Sequence, residues 1–140
     1  MPLPQLDNLV ATNHLKAETR SESEIDGLVH SGEARLEDAA TAGLSIESRF
    51  DLAYNAAHAL SLAALRWHGY RPSHRRYLVF QTLPHTLSMP AEQWRVLDQA
   101  HNKRNVVEYE GTADIDAQLV EALIRATREV AARLRALRDA

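Results

Sequence analysis

The stretch 46–68 carries apolar side chains on nearly every face when it is placed on a helix. At about 100° per residue, Phe50, Leu52 and Leu62 point in three different directions. A helix that is apolar all round is stable only where other helices surround it, and its many alanines allow those neighbours to approach closely. The stretch therefore predicts a bundle with this helix at its centre.

Apolar residues at spacings of three and four predict further helices elsewhere in the chain. We expect them at residues 3–15, 25–42, 75–83 and 90–109, with a last helix from 115 almost to the C-terminus. The residues that we expect to begin or end helices are Ser21 with Glu24 as a capping box, Gly43, Ser45, Gly69, Pro84, Pro90 as the first residue of its helix, Gly111 and Asp114. No segment alternates apolar and polar residues over the length of a strand, so the predicted fold class is all-α.

Length and composition narrow the class of protein. A chain of 140 residues with 45% hydrophobic and 25% charged residues is typical of one globular domain. It contains no cysteine, which excludes disulfides, thiolate metal sites and a cysteine nucleophile. The first 15 residues lack the pattern of a signal peptide and no apolar run is long enough for a membrane span, so we expect a cytoplasmic protein that does not bind membranes.

The net charge of the chain and the distribution of its basic residues limit how it can bind nucleic acid. The net charge of -3 argues against a protein that nucleic acid covers over its whole surface. Two local groups of basic residues remain: Arg66, His68, Arg71, His74, Arg75 and Arg76 around one turn, and Arg125, Arg128, Arg133, Arg135 and Arg138 on the last helix. The first group is either a phosphate-binding patch or a solvated surface patch, whereas the second complements the dipole at the end of its helix.

The most informative polar residues lie on the predicted helix 90–109. The helical arc that contains its core-facing leucine and alanine also contains His101, Arg104 and Glu108, with Asn105 at its edge. Ionised groups on a buried face are costly unless they are paired. Arg104 and Glu108 therefore either form an internal ion pair at i, i+4, or the arc faces a cleft or a second subunit in which arginine and histidine bind phosphate.

A second polar line follows the central helix. Asp51, Asn55 and His58 lie at i, i+4 and i+7, on one side of the helix. They either line the same cleft or form a solvated strip.

The sequence lacks the motifs of several site classes. It has no glycine-rich phosphate loop, no Gly-x-Ser-x-Gly elbow, no His-Glu-x-x-His zinc helix and no closely spaced set of histidines and carboxylates suited to a metal. We therefore expect neither a metal nor a cofactor in this chain.

The run 104–111, which reads Arg-Asn-Val-Val-Glu-Tyr-Glu-Gly, follows the long central helix and the turn 69–74, which reads Gly-Tyr-Arg-Pro-Ser-His. In this order of helices and position of the motif, the chain resembles bacterial HEPN-domain proteins. The resemblance covers residues 45–140 as a core bundle and leaves 1–43 as an N-terminal helical extension of the same single domain. It implies an up-and-down helical bundle that forms a homodimer through the central helix and the helix 90–109.

The resemblance also implies a function. Many members are metal-independent ribonucleases of toxin–antitoxin or phage-defence systems, and some pair with a minimal nucleotidyltransferase. Their site combines an arginine, a polar residue and, a few residues further on, a histidine. Arg104 and Asn105 match the first two, but Tyr109 stands where the shorter spacing would place the histidine.

The missing histidine shapes the functional expectation. Tyrosine ionises near pH 10 and is a poor general base, so we expect a nucleotide- or RNA-binding component with little catalysis, in which Arg104, Asn105 and Glu108 bind the ligand. One alternative is a metal-independent ribonuclease that uses Arg104 with His101 or Tyr109. The other is a purely structural dimeric interaction module.

Overall fold

The chain is described by a computed structural model over residues 3–74, 78–111 and 114–140. Its elements are α1 (Pro4–Ala11), β1 (Leu15–Ala17), α2 (Glu22–Ala39), α3 (Ile46–Trp67), β2 (Tyr70–Pro72), α4 (Leu78–Gln81), α5 (Leu83–Thr86), α6 (Ala91–Glu110) and α7 (Ala117–Asp139). The protein is an all-α helical bundle, as the sequence predicts. Within the described ranges, no helix has both the length and the apolar character that crossing a bilayer requires.

Helix α3 occupies the centre of the bundle. Its side chains are buried along most of its length, and α2 and α7 make its most extensive contacts. The approach of α2 is close, because an added Cβ on Gly32 would lie 2.7 Å from Cγ of Leu60. Packing around α3 rather than any one hydrogen bond therefore sets the arrangement of the long helices.

The first predicted helix is shorter than the sequence indicates. It ends at Ala11, and Asn13 adopts a left-handed conformation with a φ of 64°, which asparagine tolerates better than most residues. The chain then forms β1, which pairs antiparallel with β2, so that Leu15 lies opposite Pro72. Strands of three residues are too short to produce a periodic signal, which is why the sequence does not predict them.

Several helix ends are confirmed and others are shifted. Ser45 Oγ accepts a hydrogen bond from the Ser48 backbone and begins α3, and Gly111, with a φ of 83°, ends α6 as predicted. Asp114 is not the cap of the last helix, because Asp116 accepts the hydrogen bond from the first turn of α7. Pro84 does not end a helix either; it lies in the first turn of α5, where its missing N–H has no helical partner.

Two other ends differ by a few residues. Helix α2 ends at Ala39 instead of continuing to residue 42, and Gly43 adopts its φ of 96° in the turn that follows. Helix α6 begins at Ala91, with Pro90 as its cap and not as its first residue. The predicted start of a helix at residue 75 lies outside the described residues.

Arg66 is buried at the junction of α3 with the N-terminal segment. Its side chain is 1% exposed, its Nε donates to Glu24 Oε1 at 2.7 Å, and its terminal nitrogens donate to the carbonyl oxygens of Glu18, Thr19 and Tyr70. Hydrogen bonds from Arg66 and then from Arg71 hold the pKa of the Glu24 carboxyl below its usual value. The Glu24 carboxylate therefore accepts hydrogen bonds from these arginines and does not complete the predicted capping box. Ser21 nevertheless caps α2.

This network changes the interpretation of the first basic group. Arg66 belongs to neither a phosphate-binding patch nor a solvated patch, because it is buried and Glu24 and carbonyl oxygens occupy its donors. Arg71 is partly exposed, but it is paired with the carboxylates of Glu18 and Glu24. His68 donates from Nε2 to the Thr86 carbonyl oxygen. Arg75 and Arg76 lie outside the described residues.

Candidate functional site

A polar cleft of about 220 Å³ opens between α3 and α6. It is lined by Tyr54, Asn55 and His58 from α3 and by His101, Arg104, Asn105 and Glu108 from α6. The α6 residues follow spacings of three and four, so one face of that helix forms a wall of the cleft. The cleft contains the polar arc that the sequence indicates.

The polar arc is partly exposed and not deeply buried. Ala100 is the last residue of α6 that is fully buried, and the turns that follow rise away from the core. The side chain of Arg104 is 30% exposed and that of Glu108 is 58% exposed. Because water still reaches both charges, the high cost of burying them is avoided.

Arg104 contacts two groups in the cleft. Its Nε lies 3.4 Å from Glu108 Oε1, and its guanidinium carbon lies 4.9 Å from the centre of the Tyr54 ring. The ion pair along α6 is therefore present, but it is partly exposed and faces a cleft instead of lying inside the core. An exposed pair at this distance contributes less than about 1 kcal/mol, so an incoming anion competes readily with Glu108.

His101 forms hydrogen bonds through both ring nitrogens. Its Nδ1 lies 3.2 Å from the Tyr54 hydroxyl, and its Nε2 lies 3.2 Å from Nδ2 of Asn105. An amide nitrogen only donates, so Nε2 accepts, and Nδ1 carries the proton and donates to the Tyr54 oxygen. Protonation of Nε2 would place two donors face to face.

Burial lowers the pKa of His101 below its usual value. The charge of Arg104 also lowers this pKa, whereas Asp98 and Glu108 raise it. Both burial and the hydrogen-bond pattern thus favour a neutral imidazole, and Arg104 is the permanent positive charge among the described residues that line the cleft.

Tyr54 and His58 belong to the cleft, although the sequence places only His58 among its candidates. Tyr54 is 8% exposed, and its ring packs on Phe50 and against the edge of Phe80. On a helix that is apolar all round, the sequence does not distinguish a tyrosine that lines a cleft from an aromatic residue that packs in the core. Its position four residues before His58 on the polar line of α3 is the pattern that would have identified it.

The structure separates Tyr109 from the other predicted site residues. It brings together His101, Arg104, Asn105 and Glu108, but the Tyr109 side chain is 89% exposed and does not line the cleft. Of the polar line on α3, Asn55 and His58 reach the cleft, and Asp51 is exposed outside its lining. The cleft therefore contains a tyrosine, but it is Tyr54.

Among residues 3–74, 78–111 and 114–140 there is no group of three or more histidines and carboxylates able to hold a metal ion. The available chemistry is that of a guanidinium, amides, imidazoles and a carboxylate.

Comparison of the chain with models of known protein families, with curated proteins and with solved structures finds no match. The resemblance to HEPN-domain proteins stays a prediction that rests on the run 104–111 and the order of helices. What the chain does has to be inferred from the cleft itself.

Proposed function

We propose that this chain is a HEPN-like component that binds a nucleotide or RNA through the cleft between α3 and α6. One observation carries the proposal: Arg104 is a partly exposed guanidinium held at an aromatic ring in a polar cleft, with a weak and replaceable counter-ion. A permanent positive charge that is partly exposed and only weakly paired is suited to bind a phosphate.

The groups around Arg104 match a phosphate ester. The guanidinium offers a planar fork of donors that fits two phosphate oxygens, and the Asn105 amide supplies further donors on the next residue of the same helix. Glu108 is 58% exposed and turns into solvent when an anion replaces it. The ligand is therefore expected to bind more weakly as salt increases.

The size of the cleft favours a fragment of a larger ligand. Sites that enclose a whole small molecule usually measure about 300–1,000 Å³, whereas this cleft measures about 220 Å³. A phosphodiester with its ribose is a suitable fragment, and the rest of the strand would continue over the surface.

Binding without cleavage is the form of the proposal that we favour. A ribonuclease needs a base for the 2′-hydroxyl, and the Nε2 lone pair of His101 already accepts from Asn105. Tyr109, the other candidate base, lies outside the cleft lining. The ribonuclease alternative requires Asn105 to turn away when RNA binds, so that His101 Nε2 receives the proton.

Several parts of the proposal derive from the resemblance alone. They are the homodimer through α3 and α6, a minimal nucleotidyltransferase as partner, and a role in a toxin–antitoxin or defence pair. The proposed cytoplasmic location derives from the sequence, which shows neither a signal-peptide pattern nor a long apolar run. The structural alternative, a dimeric interaction module, treats Arg104, Glu108 and His101 as an interface network.

The experiment that tests RNA binding compares wild type with Arg104→Ala and uses Arg128→Ala as the control. Arg128 is an exposed arginine on α7, so its loss removes the same charge far from the cleft. Fluorescence anisotropy of a labelled single-stranded RNA, without metal and over a range of salt, measures affinity. We expect Arg104→Ala to weaken binding by about tenfold or more and Arg128→Ala by much less. Equal affinities of the two variants would refute the proposal.

The same samples decide between the alternatives. Cleavage of the RNA by wild type that disappears in Arg104→Ala and in His101→Gln would establish the ribonuclease. A shift of Arg104→Ala from dimer to monomer in sedimentation, with a lower melting temperature, would support the interaction module. RNA binding without cleavage, and with an unchanged association state in the variant, is the outcome that we expect.

A further inference from the structure

We propose that Tyr54 is the positioning residue of the cleft: its hydroxyl accepts from His101 and holds the imidazole in its orientation, and its ring holds Arg104 in place. Only the effect on ligand affinity rests on the proposed RNA binding. The two contacts exist in the ligand-free protein and are tested there.

The Tyr54 ring is held firmly by its surroundings. It lies in the middle of α3, is 8% exposed, and its centroid is 6.3 Å from that of Phe50 and 5.7 Å from that of Phe80. The first pair is stacked and the second meets edge to face, two arrangements that aromatic rings favour. The central helix therefore anchors a ring whose hydroxyl end reaches the cleft.

The hydroxyl acts on His101. The oxygen of Tyr54 lies 3.2 Å from Nδ1, and Asn105 donates to Nε2 on the other side of the imidazole. Because the Asn105 amide makes Nε2 the acceptor, Nδ1 carries the proton, and the Tyr54 oxygen accepts it and so holds the plane of the imidazole. The imidazole is thereby held between the central helix and its own helix.

The face of the same ring acts on Arg104. A guanidinium within about 6 Å of a ring centroid is attracted by the electron density of that face, and here the distance is 4.9 Å. This contact restrains a long side chain that would otherwise sample many rotamers, so less conformational entropy is lost when a phosphate binds. One rigid side chain thus positions both the imidazole and the guanidinium.

The other charged groups near His101 do not replace this contact. Asp98, Arg104 and Glu108 on α6 influence the imidazole electrostatically, and His58 on α3 lines the same cleft. These groups affect whether the ring is charged. The hydrogen bond from Nδ1 to the Tyr54 oxygen additionally restrains the orientation of the neutral ring.

The test separates the hydroxyl from the ring by two substitutions. Tyr54→Phe removes only the hydroxyl, and Tyr54→Leu removes the ring as well. Phe50→Leu is the control, because it loosens the packing around Tyr54 and leaves Tyr54 itself in place. Circular dichroism and thermal melting confirm that each variant is folded.

Nitrogen-15 spectra of ligand-free protein at pH 8 report on both contacts. In wild type and Phe50→Leu we expect a His101 Nδ1–H signal that exchanges slowly with water, and in Tyr54→Phe we expect this proton to exchange faster. We also expect the ring-current shift of the Arg104 Nε–H to persist in Tyr54→Phe and to disappear in Tyr54→Leu. An unchanged exchange rate in Tyr54→Phe, or an increase in Phe50→Leu that equals the increase in Tyr54→Phe, would overturn the role of the hydroxyl.

Affinity for single-stranded RNA then measures the consequence of losing the ring. Tyr54→Leu is expected to bind about two- to fivefold more weakly than Tyr54→Phe. Equal affinities of these two variants, or an unchanged Arg104 shift in Tyr54→Leu, would overturn the role of the ring. If wild type binds no RNA at all, the proposed function fails, and the ligand-free spectra still decide the role of Tyr54.

Discussion

Arg66 and Arg104 are the same residue type in opposite environments. The Arg66 side chain is 1% exposed and its donors are occupied by Glu24 and by backbone carbonyl oxygens. The Arg104 side chain is 30% exposed and contacts one weakly bound carboxylate and one ring. The first arginine therefore joins the N-terminal segment to the bundle, and the second is available to a ligand.

Loss of Arg66 is predicted to destabilise the fold strongly. Arg66→Ala leaves Glu24 Oε1 and the carbonyl oxygens of Thr19 and Tyr70 without their donor, which costs about 3–5 kcal/mol of the free energy of unfolding. Chemical denaturation measures this change, with Arg135→Ala as the control. Arg135 pairs with Glu33 at the exposed surface, and its loss costs less than about 1 kcal/mol. Equal losses of stability in the two variants would show that the buried contacts of Arg66 contribute no more to stability than an exposed ion pair.

The environment of His101 yields a second prediction at this scale. Asn105→Asp replaces a donor beside Nε2 with a carboxylate, which stabilises the protonated imidazole and raises the pKa of His101. An NMR titration of the imidazole measures the change. Asn102→Asp adds the same charge on an exposed part of α6 and is expected to raise this pKa less. A pKa that stays the same or falls in Asn105→Asp would contradict the hydrogen-bond pattern.

Among the elements, the long helices are predictable from sequence and the short ones are not. Apolar spacing and strong caps locate α2, α3, α6 and α7, because many residues contribute to each pattern. The two strands of three residues and the single turns α4 and α5 offer too few positions for a period. Asp114 and Asp116 are both suitable cap residues in the sequence, and the hydrogen bond from the Leu119 backbone shows that Asp116 is the cap of α7.

The cleft is predictable only to the extent that it lies on one helix. His101, Arg104, Asn105 and Glu108 share a face of α6, so helical geometry groups them. Their contact with Tyr54 depends on how α6 lies against α3, and periodicity within one helix carries no such information. Tyr109 falls outside the cleft lining for a different reason, because one residue step turns it about 100° around α6 from Glu108.

The close packing of α2 on α3 is tested by two glycines of one helix. Gly32→Ala places a methyl group 2.7 Å from Cγ of Leu60 and 3.3 Å from the Ala56 carbonyl oxygen, and we expect a loss of about 1–3 kcal/mol in stability. Gly27 has open space around it, so Gly27→Ala is expected to stabilise α2 by up to about 1 kcal/mol. Denaturation midpoints measure both changes. Tolerance of Gly32→Ala would contradict the close approach of the two helices.

At the scale of the whole molecule, the bundle is held around α3, and the cleft forms where α6 leaves the bundle. The core supplies rigid side chains such as Tyr54, and the emerging helix supplies charges that water still reaches. A site in this position combines a fixed scaffold with an accessible cation. The fold thereby explains why polar residues occupy the inward arc of α6 without destabilising it.

The stability of the whole protein is predicted to decrease on mild acidification. Burial lowers the pKa values of His68 and His101 in the folded state. Below the usual value of about 6.5 the unfolded chain therefore binds more protons, and stability falls as pH decreases from about 7 to 5. Melting temperatures over this range measure the effect, and we expect a flatter profile for the double variant with His68→Gln and His101→Gln. A melting temperature that rises on acidification would contradict the prediction.

The central claim is that the cleft around Arg104 binds RNA, and its most direct test is an NMR titration of the labelled protein with a short single-stranded RNA at low salt. The account predicts that the Arg104 Nε–H and the His101 ring shift first and saturate together, while the arginine side chains of α7 move little. Saturating shifts confined to α7 or to other surfaces, with the Arg104 and His101 signals unmoved, would contradict it.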